Sequence, residues 1–423
     1  MSDGYCFVYR LDMAAANDFT TEELLNDLYK CVSAEALKKE NIEKYDLKIY
    51  GTEDKIEQYG SDIAFIDISA ENFDSDKRIY NLVLKYGHTQ KNIRNRIPIR
   101  DGFKREIEIY SKLIPCYQRF QQDKGVSIFS STPKCFLTKF SESDEIIVLE
   151  NLKRMGYDVH TREKPMNINH IKLILEAYAE WHALSLALED QKDEEYLEIK
   201  LHFTENPWKT YLDNQLGEMI DVGQNSLYAI LEENGHMDLL RKYKNKLGNE
   251  NARTILTDLM EAKENVSVVL HGDCWNNNFL FNYEDDDLKK KNCKKVALLD
   301  FQMSSLRSPV FDLSHLLYSV ASHKELRHFR ELIDHYYFYL CSHIKQLGSN
   351  PEKVFPFRTL KLHWRKYSAY GAVLSPFIAM YCYMDKENTA DFGVCQTLKN
   401  ATTKQKYMKK VIDVASHFVE CEL

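Results

Sequence analysis

The spacing of apolar residues changes character along the chain. Residues 59–68 (YGSDIAFIDI) alternate with the period of two that a half-buried strand imposes, and residues 79–86 (IYNLVLKY) form a second such run. The polar stretch Asn72-Phe73-Asp74-Ser75-Asp76 between them predicts a turn, and the two runs together predict a hairpin. Asp101 is then expected to cap a helix that carries Phe103, Ile107, Tyr110, Leu113 and Ile114 on one face and is closed by Pro115. Residues 135–140 and 145–149 predict another hairpin, with a polar tip at 141–144. From 169 to 188 the period becomes helical, through Ile171, Ile174, Leu175, Tyr178, Trp181, His182 and Leu186. The first fifty or so residues also read as helical, with Thr20-Thr21-Glu22-Glu23 as a helix start ahead of Leu24, Leu25 and Leu28. Beyond residue 188 the pattern is mostly helical, except for strands on either side of residues 271–278 and at 296–301. The order predicts an α+β fold, with an N-terminal α+β lobe and a larger, mainly helical C-terminal lobe.

Composition narrows the function classes. With 423 residues there is enough chain for two lobes, and 44% hydrophobic with 28% charged residues is an ordinary globular balance. The net charge of −8 argues against general nucleic-acid binding, which needs a positive field. No apolar stretch reaches membrane-spanning length, and the opening MSDGYCFVYRLDM lacks the pattern of a secretory signal. The ten cysteines show no CxxC pair, which points to reduced thiols in a cytoplasmic protein. The charge run Glu284-Asp285-Asp286-Asp287 with Lys289-Lys290-Lys291 reads as a solvated hairpin tip.

The candidate chemistry sits in HGDCWNNNFLF, residues 271–281, and in LLDFQ, residues 298–302. A hairpin between them would bring Asn278 and Asp300 together, so that both could share one ion. Mg²⁺ favours hard oxygen ligands of this kind, supplied by one or two side chains plus nucleotide phosphates. A further carboxylate, Asp273, would accept the proton of an attacking hydroxyl. The spacing from Asp273 to Asn278 equals that of H-R-D-x-x-x-x-N in protein kinases, with Gly272 in place of the arginine and Gln302 in place of the last glycine of D-F-G. His271 reads as a hydrogen-bonding strut, Cys274 and Trp275 as packing, and His182 as a core histidine. Asp312 reads as structural, with a helix N-cap as one candidate role.

Taken with LLDFQMSSLRSPVFDLSHLL, IIVLENLKRMGY and AEWHALSLAL, this motif resembles the ecdysteroid kinase-like family, also called CHK kinase-like. These are small-molecule kinases of the protein-kinase-like, aminoglycoside phosphotransferase fold. The resemblance implies a nucleotide-binding lobe at 1–149, a hinge at 150–155 and a catalytic and acceptor-binding lobe at 156–423. It implies ATP and Mg²⁺ as cofactors and a small hydroxylated molecule as acceptor, an ecdysteroid or another hydrophobic compound. Lys85 matches the lysine that contacts the α/β phosphates, and Glu106 the helix glutamate that pairs with it. Glu150, Asn151 and Leu152 match the hinge whose backbone meets adenine, and Tyr59 and Ser61 match the phosphate-covering loop. Asp312 matches a structural aspartate behind the catalytic loop.

The chain departs from the family in that loop. The glycines expected before Tyr59 are missing, and acids such as Glu53, Asp54 and Glu57 stand there. Glycine permits close backbone approach to phosphate, and acids repel it. This leaves open a non-catalytic kinase-like binding protein as the alternative, and a metal-dependent phosphoester hydrolase as a more distant one. A protein kinase is disfavoured, because no APE-like segment follows Asp300. The aromatic-rich stretch 355–383 is expected either to wall the acceptor pocket or to form a helical core.

Overall fold

Alternation in the N-terminal part builds an antiparallel sheet. The structure is a computed structural model that describes residues 44–50, 61–71, 77–88, 94, 97–141, 145–213, 215–248, 250–283, 292–384 and 401–423. Five strands, β1 (Lys44–Tyr50), β2 (Ser61–Glu71), β3 (Lys77–Gly87), β4 (Cys135–Phe140) and β5 (Glu145–Glu150), lie in the order β1-β2-β3-β5-β4. Both expected hairpins are present, each a little longer than its pattern. Strand β1 corrects the helical reading of the first fifty residues at 44–50, the part of that stretch among the described residues. Tyr45, Leu47 and Ile49 alternate with polar residues, and this short period-two signal pairs the segment antiparallel with β2. The helix start at Thr20–Glu23, the turn at 72–76 and the charged tip at 284–291 lie outside the described residues.

The helix after the sheet differs at both ends from its sequence signals. Helix α1 (Ile99–Glu108) has Pro98 as its N-cap, and Asp101 stands inside the first turn, where a carboxylate still favours the helix dipole. Pro115 does not end the helix. A π-helical stretch at Ile109–Leu113 shifts the register, so that Pro115 falls in the first turn of α2 (Ile114–Asp123) and removes no hydrogen bond.

The C-terminal part is organised around α3 (Ile168–Asp190), capped by the Asn167 side chain on the backbone N–H groups of Asn169 and His170. The helix is apolar nearly all round because other elements cover it on most sides. One is a long helix, Phe329–Gln346, and another is the two-stranded sheet of Val268–Val269 with Leu306–Arg307. A second small sheet joins Tyr157–Val159, Phe279–Tyr283 and Cys293–Leu298. The aromatic stretch 355–383 goes mainly to the core, with Phe355, Trp364, Tyr367, Tyr370, Phe377 and Tyr381 all buried. All cysteines among the described residues are free thiols. No described helix is long and apolar enough to cross a membrane.

The two parts meet along α1. Its outer face touches the segment at residues 202–211, through Glu108 to His202 Nδ1 at 2.8 Å and Asp101 to Thr210 Oγ1 at 3.4 Å. Beneath it, Phe301 is fully buried against Tyr110, Trp181 and His271.

Candidate active site

Strand register decides where Lys85 points. Leu84 and Tyr86 belong to one face of the sheet, with Ile66, Leu82 and Val148. Lys85 therefore faces the opposite side, in register with Ile147, where α1 packs. There its Nζ donates to Glu106 Oε2 at 2.6 Å and to Asp300 Oδ1 at 2.7 Å. Burial alone would lower the lysine pKa, but Asp300 and Glu106 outweigh it and hold the group above its ordinary value. Burial pushes Glu106 up, Lys85 pulls it down, and the charge of Asp300 adds to the rise. Glu106, next to the apolar stripe of α1, is buried as the spacing suggested.

The loop carrying Asp273 is fixed from behind. Asp312 lies in the first turn of helix Val310–Val320, whose N-cap is Pro309, so the N-cap role is corrected. Its carboxylate accepts from the backbone N–H of His271 at 2.8 Å and of Gly272 at 2.9 Å, from His182 Nε2 at 3.1 Å and from Cys274 Sγ at 3.2 Å. Burial pushes the Asp312 pKa up, yet the His182 hydrogen bond and the neighbouring charges win and hold it below the usual range. His271 is a strut, as its context suggested. Its Nε2 donates to Leu299 O at 2.7 Å, its Nδ1 accepts from Tyr178 at 2.8 Å, and burial lowers its pKa. Cys274 is fully buried with its thiol pKa pushed well up by burial, which removes it as a nucleophile. Gly272 has φ of 90°, and a Cβ there would lie 2.2 Å from the Met303 carbonyl oxygen. Only glycine fits, which explains why the arginine of the kinase pattern is absent here.

Asn278 and Asp300 reach the site from adjoining strands. Asn278 Nδ2 donates to Asp273 Oδ2 at 2.7 Å and to the Asp273 carbonyl at 3.0 Å, and the Asn278 carbonyl accepts from Leu299 N at 3.0 Å. With Nδ2 committed, the amide presents Oδ1 to any further partner. Asp300 adopts φ of 64°, a left-handed conformation that is uncommon outside glycine and is found where function fixes the backbone. Asp300 Oδ2 and Asn278 Oδ1 are hard oxygen donors on buried side chains, a set that fits Mg²⁺. Burial and the charge of Asp300 raise the Asp273 pKa to about 7, against the pull of Asn278, Trp275 and Lys85.

The remaining sequence candidates are placed unevenly. Tyr59 lies outside the described residues, and Ser61 is buried at the start of β2, paired with Gly87. At the expected hinge, the Glu150 N–H donates to Lys134 O at 2.9 Å and the Asn151 N–H to Asn81 O at 2.8 Å, so neither is available to a base. The Asn151 side chain accepts from Lys153 N, and Leu152 is buried. Sequence reasoning missed Tyr211, whose side chain interacts electrostatically with Asp300 and Asp273, and Arg105, its neighbour on α1. No spacing signal marks them, because Tyr211 arrives from a short helix, Trp208–Leu212, far along the chain.

A strand-borne lysine paired with a helix glutamate, an aspartate following a β-hairpin and an HGD loop held from behind are features of kinase-like phosphotransferase architecture. The model of the ecdysteroid kinase-like family matches residues 55–349, most of the chain, and the protein belongs to that family. Among curated proteins there is no significant match. Similar solved structures include a choline kinase from Streptococcus pneumoniae, at 12% identity and TM-score 0.34, covering 92% of this chain and 99% of that one. The GDP complex of an aminoglycoside 2'-phosphotransferase-IIIa aligns at 11% identity and TM-score 0.37, over 91% and 97%. A macrolide 2'-phosphotransferase from Brachybacterium faecium aligns at 12% and 0.35, over 88% and 99%. At such values the substrates of those proteins say nothing about this chain's own.

Proposed function

We propose that the protein is an ATP- and Mg²⁺-dependent phosphotransferase that moves the γ-phosphoryl group to an alcohol of a small molecule. The reading rests on one observation, the buried Lys85 joined at once to Glu106 and Asp300 beside the Asp273–Asn278 pair. Residues 1–149 would bind nucleotide, 150–155 would be the hinge, and 156–423 would hold the acceptor. Lys85, oriented by Glu106, would face the α/β phosphates as a fixed positive charge. Asn278 and Asp300 would hold Mg²⁺, which supplies charge neutralisation when bound. Asp273, with Oδ2 held by Asn278, would orient the acceptor hydroxyl. As that oxygen bonds to the γ-phosphorus, the bond to the β,γ-bridging oxygen breaks and the proton passes to Asp273. The family name favours an ecdysteroid or a similar hydrophobic hydroxylated acceptor.

The test is ATP consumption screened over sterols, ecdysteroids and hydroxylated xenobiotics, with Asp273→Asn as control. Acceptor-dependent turnover that the variant lacks supports the proposal, and full activity in the variant overturns the role of Asp273. The glycine-poor loop before Tyr59 favours one rival, a non-catalytic binding protein. Nucleotide binding without turnover on any acceptor would support that rival.

A further inference from the structure

Lys85 is an unusual cation for its setting, because two of its three N–H donors are already taken by carboxylates. Asp273, Glu106 and Asp300 surround it, three carboxylates to one ammonium, and two of them bond it directly. A phosphoryl group entering this cleft needs further positive charge. Arg105 precedes Glu106 on α1, and its guanidinium makes no hydrogen bond or ion pair among the described residues. Its Nε is enclosed and without a partner. An enclosed guanidinium nitrogen without an acceptor is costly, and an oxyanion would satisfy it.

A second donor stands beside it. The Tyr211 hydroxyl likewise has no hydrogen bond among the described residues, although the side chain is buried. It approaches α1 at Gly102, where a Cβ would lie 3.0 Å from the hydroxyl oxygen and 3.3 Å from the Gln302 side chain. Gln302 follows Asp300 by two residues, so this hydroxyl lies at the junction of α1 with the Asp300 loop. The tyrosine interacts electrostatically with Asp300, Arg105 and Asp273. Arg105 in turn faces Tyr211, Asp101 and Glu205. The contacts of α1 with His202 and Thr210 hold both donors on one rigid frame.

We propose that Arg105 and Tyr211 form an oxyanion subsite that binds a phosphoryl group at the junction of α1 with the Asp300 loop. The inference rests on the phosphotransferase reading and extends it to two residues. The oxyanion is either the γ-phosphoryl of the nucleotide or an anionic substituent of the acceptor. Equilibrium titration with Mg²⁺ plus ADP, Mg²⁺ plus a non-hydrolysable ATP analogue, and inorganic phosphate separates these. Arg105→Gln is expected to lose roughly tenfold or more in affinity for the triphosphate analogue while keeping that for ADP, the loss of one charged hydrogen bond. A loss confined to inorganic phosphate would assign the subsite to the acceptor. Tyr211→Phe should show a smaller loss of the same kind, and Arg105→Lys a partial rescue. Because Arg105 has no hydrogen bond or ion pair to lose among the described residues, Arg105→Gln should leave the melting temperature unchanged or raise it. Unchanged affinity for all three probes, or a lowered melting temperature with equal losses for all, overturns the subsite. Failure of the wild-type chain to bind any nucleotide would instead overturn the phosphotransferase reading itself.

Discussion

Asp273 has a pKa of about 7, where a general base works best near neutral pH. The account predicts that kcat/KM rises about tenfold per pH unit below 7 and levels above it. Asp273→Asn should lower kcat by roughly 10²–10⁴-fold, the usual scale for a lost general base. The sign of its stability effect is opposite to that of an ion-paired acid. A carboxyl raised in the folded state binds more protons there than in the unfolded chain, between about 4 and about 7. Wild-type stability therefore falls across that window as pH rises, and the asparagine variant should lack this part of the decline in a melting series. Lys85→Met is predicted to do the reverse of relief. It leaves the buried Glu106 and Asp300 without their cation, at a cost of about 3–5 kcal/mol. Denaturant unfolding should show that loss growing from acid to neutral pH, as the buried Glu106 ionises. A loss independent of pH would contradict it.

The loop from Leu270 to Cys274 works as an element because Asp312 gathers its N–H groups and Gly272 lets Met303 press against it. Asp312→Ala strands two buried N–H groups and His182 and is expected to cost about 3–5 kcal/mol. Chemical denaturation measures this, and a cost under about 1 kcal/mol would show that the loop does not depend on it. The sequence revealed this element unequally. Its residues and spacing were legible because local motif and strand period carry that information. The direction of Asp312 was not, because its partners lie about forty residues upstream and on α3. Strand β1 was hidden for a different reason, since a seven-residue alternation is weak beside a neighbouring helical pattern. The π stretch before Pro115 was invisible because proline in a helical pattern ordinarily signals an end.

For the whole molecule, the sheet and the helical part share α1, which is tied to Lys85 on one side and to His202, Thr210 and Tyr211 on the other. That arrangement was only half legible. Glu106 could be read from the stripe of α1, whereas Arg105 and Tyr211 acquire a role only when residues 105 and 211 are brought together by the tertiary fold. The glycine-poor stretch before Tyr59 makes nucleotide affinity the weakest expectation and so the most informative quantity. Equilibrium binding of ATP with Mg²⁺ to the full chain tests the central claim most directly. The account predicts a dissociation constant below about 1 mM, weakened by Lys85→Met and by removal of Mg²⁺. No binding at several-fold that concentration would contradict it.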